Sequence, residues 1–358
     1  MADEALEKLK DVTRFRLPRY VAYGVDFNDI ERILDRIGGT ADWLTEWLAE
    51  ADDRVAEAEA ALARGRTLSA GELLVRAGLL CHFGALPFKE DKAQRDRAMA
   101  RKVALFTRAL PMLDPPGERV EFGWRDYRFP GHLRIPRSMN PPPVVVIVPG
   151  TGSTKEEFFL LEGEFLRRGV ATLSLDGPGQ GEGAADGPVP YDFEGPLGAV
   201  IDALEERDDV DSGRVGLFGR SMGGYLTGRA AAFDSRVRAV SASGGVFDLV
   251  QTWEFCKPHT HGSFREMLQV ATLEEAREKA VDFTLRGVAE RISCPLFLVH
   301  GDRDPTAPLA GAEEYHRIAG SKDKELAVIA GGNHVVDNKP YLYRPMVADW
   351  MAETLGRN

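Results

Sequence analysis

Residues 215–224 read Val-Gly-Leu-Phe-Gly-Arg-Ser-Met-Gly-Gly, an apolar run ending in Gly219-Arg220-Ser221-Met222-Gly223. A helix-compatible stretch from Tyr225 to Phe233 follows directly. This is G-x-S-x-G in a strand–turn–helix setting. A serine at so sharp a turn is pushed into a strained conformation, and small residues at −2 and +2 let strand and helix approach. The turn would present Ser221 Oγ at the carboxyl end of a strand and Met222 N–H at a helix N-terminus. The chemistry on offer is nucleophilic attack on a carbonyl, which needs a base for the serine proton and a carboxylate to orient that base.

In this arrangement the partners follow in the order serine, acid, histidine. Downstream, the run Pro295-Leu296-Phe297-Leu298-Val299 ends in His300-Gly301-Asp302-Arg303-Asp304-Pro305, and Ala330-Gly331-Gly332-Asn333-His334 comes after the next strand. Both sit on loops at carboxyl ends of strands, where binding sites of open α/β sheets form. The H-G-x-x-D pattern selects Asp304 as the acid, with Asp302 its rival, and His334 as the base. His300 is expected to support the turn. His82, His132 and His316 carry no supporting context, and His259 and His261 lack the third ligand a zinc site would need.

An attacked carbonyl also needs two N–H donors for its developing oxyanion. Met222 N–H is the first. The second should come from Pro149-Gly150-Thr151-Gly152-Ser153, where Thr151 is the choice and Gly150 or Gly152 lies within one residue of it. The glycine-rich run Asp176-Gly177-Pro178-Gly179-Gln180-Gly181 fits neither G-x-x-x-x-G-K nor the dinucleotide spacing. It reads as a structural turn, with Asp176 bonding loop amides.

These residues need a scaffold. Residues 27–112 read as helical: Thr40 as cap for a helix through Trp43 and Trp47 to Gly65, Ser69 with Glu72 as a capping box for the next, and a third from Asp91 to Leu113. Asp114-Pro115-Pro116-Gly117 breaks that pattern, giving a helical domain at 1–117 and a second domain at 118–358. Two antiparallel strands are expected around Val120–Leu133, with a turn near Trp124-Arg125-Asp126. The β-branched run Val144–Val148 suits a strand buried on both faces. Helices at 156–168, 193–206, 223–233 and 309–319 then alternate with strands at 170–175, 214–218, 237–242, 295–299 and 325–329. Such alternation means a mostly parallel sheet covered on both faces. Residues 246–290 interrupt the rhythm as a lid-like insertion, expected to be helical in its second half.

Composition narrows the function. A formal charge of −11 over 358 residues argues against a nucleic-acid partner. No apolar run approaches the roughly 20 residues of a membrane span. The amino terminus is charged and lacks a signal core. Three scattered cysteines, Cys81, Cys256 and Cys294, read as reduced thiols and point to a cytoplasmic protein. The expected partner is a small-molecule substrate, with no cofactor and no metal; a homodimer is left open.

Gly150-Thr151-Gly152-Ser153-Thr154-Lys155-Glu156-Glu157, Asp176-Gly177-Pro178-Gly179-Gln180-Gly181 and Gly219-Arg220-Ser221-Met222-Gly223-Gly224 together resemble one subgroup of the α/β-hydrolases. It holds 2,6-dihydroxypseudooxynicotine hydrolases and fungal polyketide-shortening hydrolases. The resemblance covers most of the chain, including a helical amino-terminal cap. It implies a Ser221, Asp304, His334 triad and cleavage of a carbon–carbon bond next to a ketone through an acyl-enzyme. Esterases share the subgroup, so a carboxylesterase is the alternative, and a non-catalytic binding protein on this fold is a remote one. It further implies an extra acid in the insertion, with Glu254 the candidate and Asp248 its rival, partly buried and able to protonate the leaving carbon. Phe83 and Leu86 of the cap and Trp253 of the insertion are expected to line the substrate pocket.

Overall fold

The computed structural model describes residues 2–88, 91–137 and 141–356. The chain divides into two compact units, Met1–Glu118 and Arg119–Asn358, within one residue of the boundary expected from the Asp-Pro-Pro-Gly break.

The first unit holds the helices α1 (Ala2–Ala22), α2 (Phe27–Arg36), α3 (Trp43–Leu62), α4 (Thr67–Ala85) and α5 (Lys92–Ala109). Tyr20, Trp43, Trp47 and Phe83 are fully buried at its centre. Tyr20 meets Phe83 with ring centroids 4.4 Å apart, and Trp43 Nε1–H donates to Gly84 O at 3.0 Å. Two glycines of α4 permit this packing: a Cβ on Gly78 would stand 2.6 Å from the Phe106 ring, and one on Gly84 2.6 Å from Trp47 Cβ. Between α2 and α3, the buried Glu50 carboxylate accepts from Arg32 at 2.9 Å and Arg36 at 3.0 Å.

Local signals in this unit differ from those expected. The Ser69–Glu72 capping box does not form, because α4 begins two residues earlier and Ser69 lies inside its first turn. Thr40 opens a short 3-10 turn before α3 rather than capping it. Helix α1 precedes the stretch 27–112 read as helical in detail; its buried Leu6, Leu9, Thr13 and Tyr20 follow a helical spacing masked by charges.

The second unit follows the order β1 (Gly117–Trp124), β2 (Tyr127–Arg134), β3 (Pro143–Val148), α6 (Phe159–Leu166), β4 (Ala171–Leu175), α7 (Glu194–Glu205), β5 (Asp211–Arg220), α8 (Met222–Phe233) and β6 (Val237–Ser243). It continues through α9 (Leu249–Phe255), α10 (Pro258–Leu268), α11 (Leu273–Lys279), β7 (Leu296–Gly301), α12 (Leu309–Ile318), β8 (Lys324–Ile329) and α13 (Pro340–Gly356). The strands form one eight-stranded sheet, β1-β2-β4-β3-β5-β6-β7-β8. Strand β2 runs antiparallel to β4, and pairing from β4 through β8 is parallel. Every residue of β3 and β4 is buried, as a sheet covered on both faces requires. Helix α13 places Met351 against the sheet, where a Cβ on Gly216 would come within 2.5 Å of its sulfur.

The insertion is helical from its first half onward. Asp248 starts α9 by accepting from Gln251 N–H at 2.8 Å, Pro258 occupies the first turn of α10, and Thr272 with Glu275 forms the capping box of α11. Among the described residues, no helix is long and apolar enough to cross a membrane. A surface cleft of about 400 Å³ lined by Arg214, Arg238, Pro295 and Asp323 lies at the amino ends of the strands, opposite Ser221.

Candidate active site

Strand β5 delivers Ser221 to the carboxyl edge between β3 and β6. Ser221 takes φ 54° and ψ −118°, the left-handed strain expected of a sharp strand-to-helix turn. The surroundings hold it there. Its N–H donates to Ser243 O at 3.0 Å, and its carbonyl accepts from Gly224 N–H at 2.8 Å and Val246 N–H at 3.0 Å. Glycine is obligatory on either side: a Cβ on Gly219 would lie 2.2 Å from Gly223 O, and one on Gly223 2.2 Å from Val148 O.

His334 reaches Ser221 from the loop after β8, with Nε2 2.9 Å from Ser221 Oγ. Its Nδ1 is 2.8 Å from Asp304 Oδ2 on the loop after β7. An ionised carboxylate only accepts, so Nδ1 carries the proton and Nε2 is left to accept from the serine hydroxyl. Burial pushes the Asp304 carboxyl up, but His334 beside it, with loop amides, more than offsets this and leaves it below the usual carboxylate range. Asp304 Oδ1 accepts from Thr306 N–H at 2.8 Å and Ala307 N–H at 2.9 Å, so the carboxylate is fixed in the plane it needs. Asp302 points elsewhere and accepts from Gly331 N–H at 2.6 Å. Buried His300 donates from Nε2 to Ala307 O at 3.0 Å, and desolvation lowers its pKa, keeping it neutral in the turn.

The loop after β3 lies against the elbow, since a Cβ on Gly150 would be 2.8 Å from Ser221 Cβ and 3.4 Å from Met222 N. Met222 N–H is the first amide of α8 and has no partner within the helix. Thr151, next to Gly150, sets its hydroxyl 3.4 Å from Met267 Sδ, which brings α10 over this loop. Gln180 anchors the loop by donating to Pro149 O at 2.7 Å.

Behind it, Asp176 accepts from Lys155 N–H at 2.8 Å and Glu182 N–H at 3.2 Å, the amide-bonding role expected for the glycine-rich turn. Glu156, Asp176 and Glu182 lie close enough to share a metal. Their centre is taken by the buried Lys155 ammonium, 2.7 Å from Glu156, 2.9 Å from Asp176, and bonded to Glu182. Burial works against that charge, but the three carboxylates overcome it and hold Lys155 above the ordinary lysine range.

Glu254 is not the partly buried acid expected. Glu254 is exposed, with 65% of its side chain accessible, and pairs with Arg277. It faces outward because α9 buries Leu249, Thr252 and Trp253 instead. Asp248 is spent as the α9 cap and accepts from Thr284 Oγ1 at 2.8 Å. Phe83 is a core side chain of the first unit, and Leu86 is half-buried there. Trp253 stacks on His261 with centroids 4.1 Å apart and rings 9° from parallel, and packs against Phe264 of α10.

Sequence reasoning passed over Arg220 and Asp337, which form a buried ion pair at 2.7 Å beside the elbow. The sequence carries no local signal for the pair, whose members stand 117 residues apart.

The sheet order, the elbow and the loops that carry Asp304 and His334 define an α/β-hydrolase, and the chain belongs to that family. The prolyl oligopeptidase family profile matches residues 197–358. The chain is 34% identical over 338 residues to the 2,6-dihydropseudooxynicotine hydrolase of Paenarthrobacter nicotinovorans, covering 94% of this chain and 91% of that one. A crystal structure of a 2,6-dihydroxy-pseudo-oxynicotine hydrolase superposes with a TM-score of 0.89 at 34% identity, covering 95% and 96% of the two chains. The α/β-hydrolase xenA of Xenoacremonium sinensis is 26% identical, covering 90% of this chain and 86% of that one.

Proposed function

We propose that this hydrolase is a serine enzyme that cleaves the carbon–carbon bond next to a ketone in a small molecule, through an acyl-enzyme. The observation that carries the serine assignment is the hydrogen-bonded chain Ser221–His334–Asp304, at 2.9 and 2.8 Å. Ser221 Oγ attacks the ketone carbon while its proton passes to His334 Nε2, and Asp304 stabilises the imidazolium. The Met222 and Thr151 amides receive the oxyanion, each such donor being worth about 10²–10³ in rate. Collapse breaks the carbon–carbon bond, the electron pair leaves with carbon, and that carbon takes the proton from His334 Nε2. Water, deprotonated by His334, then releases a carboxylate. Similarity to the 2,6-dihydropseudooxynicotine hydrolase supports the choice of bond.

A second reading, a carboxylesterase for small aryl or acyl esters, is favoured by one observation. Glu254 is paired with Arg277, and Asp248 accepts from Gln251 N–H and Thr284 Oγ1, so neither carboxyl is held ready to protonate carbon. His334 protonates an alkoxide oxygen readily, whereas protonation at carbon is slower with no second acid at hand.

The test is Ser221→Ala alongside wild type on β-diketones, acyl-phenols and p-nitrophenyl esters, with product masses. The variant should fold, resist fluorophosphonate labelling and lose about three or more orders of magnitude in kcat. A folded variant with more than about a tenth of wild-type turnover ends the serine assignment. Ester turnover without ketone cleavage selects the second reading.

A further inference from the structure

We infer that Arg220 is a positioning residue, whose guanidinium fastens the nucleophile elbow, the oxyanion loop and the histidine loop to one another. The inference rests on the serine-hydrolase reading above. Arg220 immediately precedes Ser221 and is only 5% exposed. Its Nη2 donates to Asp337 Oδ2 at 2.7 Å, and its Nη1 donates to Ser153 Oγ at 3.1 Å. The same Nη1 lies 3.6 Å from Glu157 Oε2.

Each partner belongs to a segment that carries a reacting group. Ser153 closes the loop holding Gly150 and Thr151, and its N–H donates to Gly150 O at 3.1 Å. Asp337 ends the turn that begins at His334. Between them, Val335 and Val336 take φ 53° and 60°, a region β-branched residues rarely enter. Such a turn persists only where its surroundings fix it. Val335 O is held by Ser243 Oγ–H at 3.0 Å, and Asp337 by Arg220. A planar fork with donors in two directions can meet Ser153 and Asp337 at once, which a lysine ammonium cannot do with the same geometry.

The experiment compares Arg220→Met, Arg220→Lys, Asp337→Asn and the Arg220→Met/Asp337→Asn double variant with wild type. Thermal unfolding checks the fold. Reaction with a fluorophosphonate gives a limiting rate at Ser221 and a half-saturating concentration. Arg220→Met and Asp337→Asn should each lower the limiting rate roughly 10- to 100-fold with half-saturation moved less than about threefold, because misplaced groups cost rate rather than binding. The double variant should be no slower than the worse single one, since the Arg220–Asp337 bond is already broken in each. Arg220→Lys should recover part of the loss.

Folded variants reacting within about threefold of wild type overturn the inference, as do losses that multiply in the double variant. A lower unfolding temperature with an unchanged limiting rate also overturns it. If Arg220→Met does not fold, Asp337→Asn and Arg220→Lys decide by the same criterion. Failure of the parent reading is visible separately, as labelling that persists in Ser221→Ala.

Discussion

Glu254 gives one carboxylate oxygen to both Nε and Nη2 of Arg277, at 3.0 and 2.8 Å, on the solvent side of the insertion. Exposed pairs of this kind contribute about 0–1 kcal/mol. Glu254→Gln should therefore leave ketone and ester turnover within about threefold of wild type. A selective loss of ketone cleavage would return Glu254 to the mechanism.

The two aspartates of the β7 loop separate cleanly. Asp304→Asn should lower kcat by about 10⁴, because an amide cannot hold the histidine in its reactive tautomer. Asp302→Asn keeps an oxygen able to accept from Gly331 N–H and should cost less than about tenfold. Comparable losses in the two variants would reverse the assignment.

Lys155 neutralises carboxylates that are themselves buried. Lys155→Met should destabilise the second unit by about 3–5 kcal/mol, the scale of a buried charge deprived of its partner. Denaturant unfolding measures this, and a change below about 1 kcal/mol would show that the cluster protonates or rehydrates instead.

His132 is almost wholly buried, and desolvation together with Lys155 lowers its pKa to about 3. Unfolding returns it to about 6.5, so below that pH the unfolded chain binds a proton that the native one refuses. Stability is then full above pH ~6.5 and falls as acid is added, down to the folded value. Between pH 6.5 and 4.5, His132→Gln should lose less stability than wild type by about 2–3 kcal/mol. Parallel pH profiles for the two proteins would refute this.

Much of the sheet was legible because buried parallel strands read as unbroken apolar runs, as at Val144–Val148, and because each loop carrying Ser221, Asp304 or His334 follows such a run. The insertion was less legible. Its helices are seven to eleven residues long, too short for periodicity to show which face of α9 turns inward, and so Glu254 and Trp253 could not be told apart. Caps misled for a related reason: Ser69 with Glu72 has the right spacing, but a helix can begin a turn earlier where packing rewards it. The buried ion clusters were invisible. A sequence shows that Lys155, Arg220 and Asp337 are charged, and only long-range contacts show that they lie inside.

The thiols have a practical consequence. Burial raises the pKa of Cys81 and of Cys294 to about 12, and that of Cys256 above its usual value. At pH 7 the first two are ionised to only about one part in a hundred thousand, and the thiolate is the species that electrophiles trap. Within this chain, electrophiles that ordinarily divide between serine and cysteine should therefore find Cys81 and Cys294 slow to react.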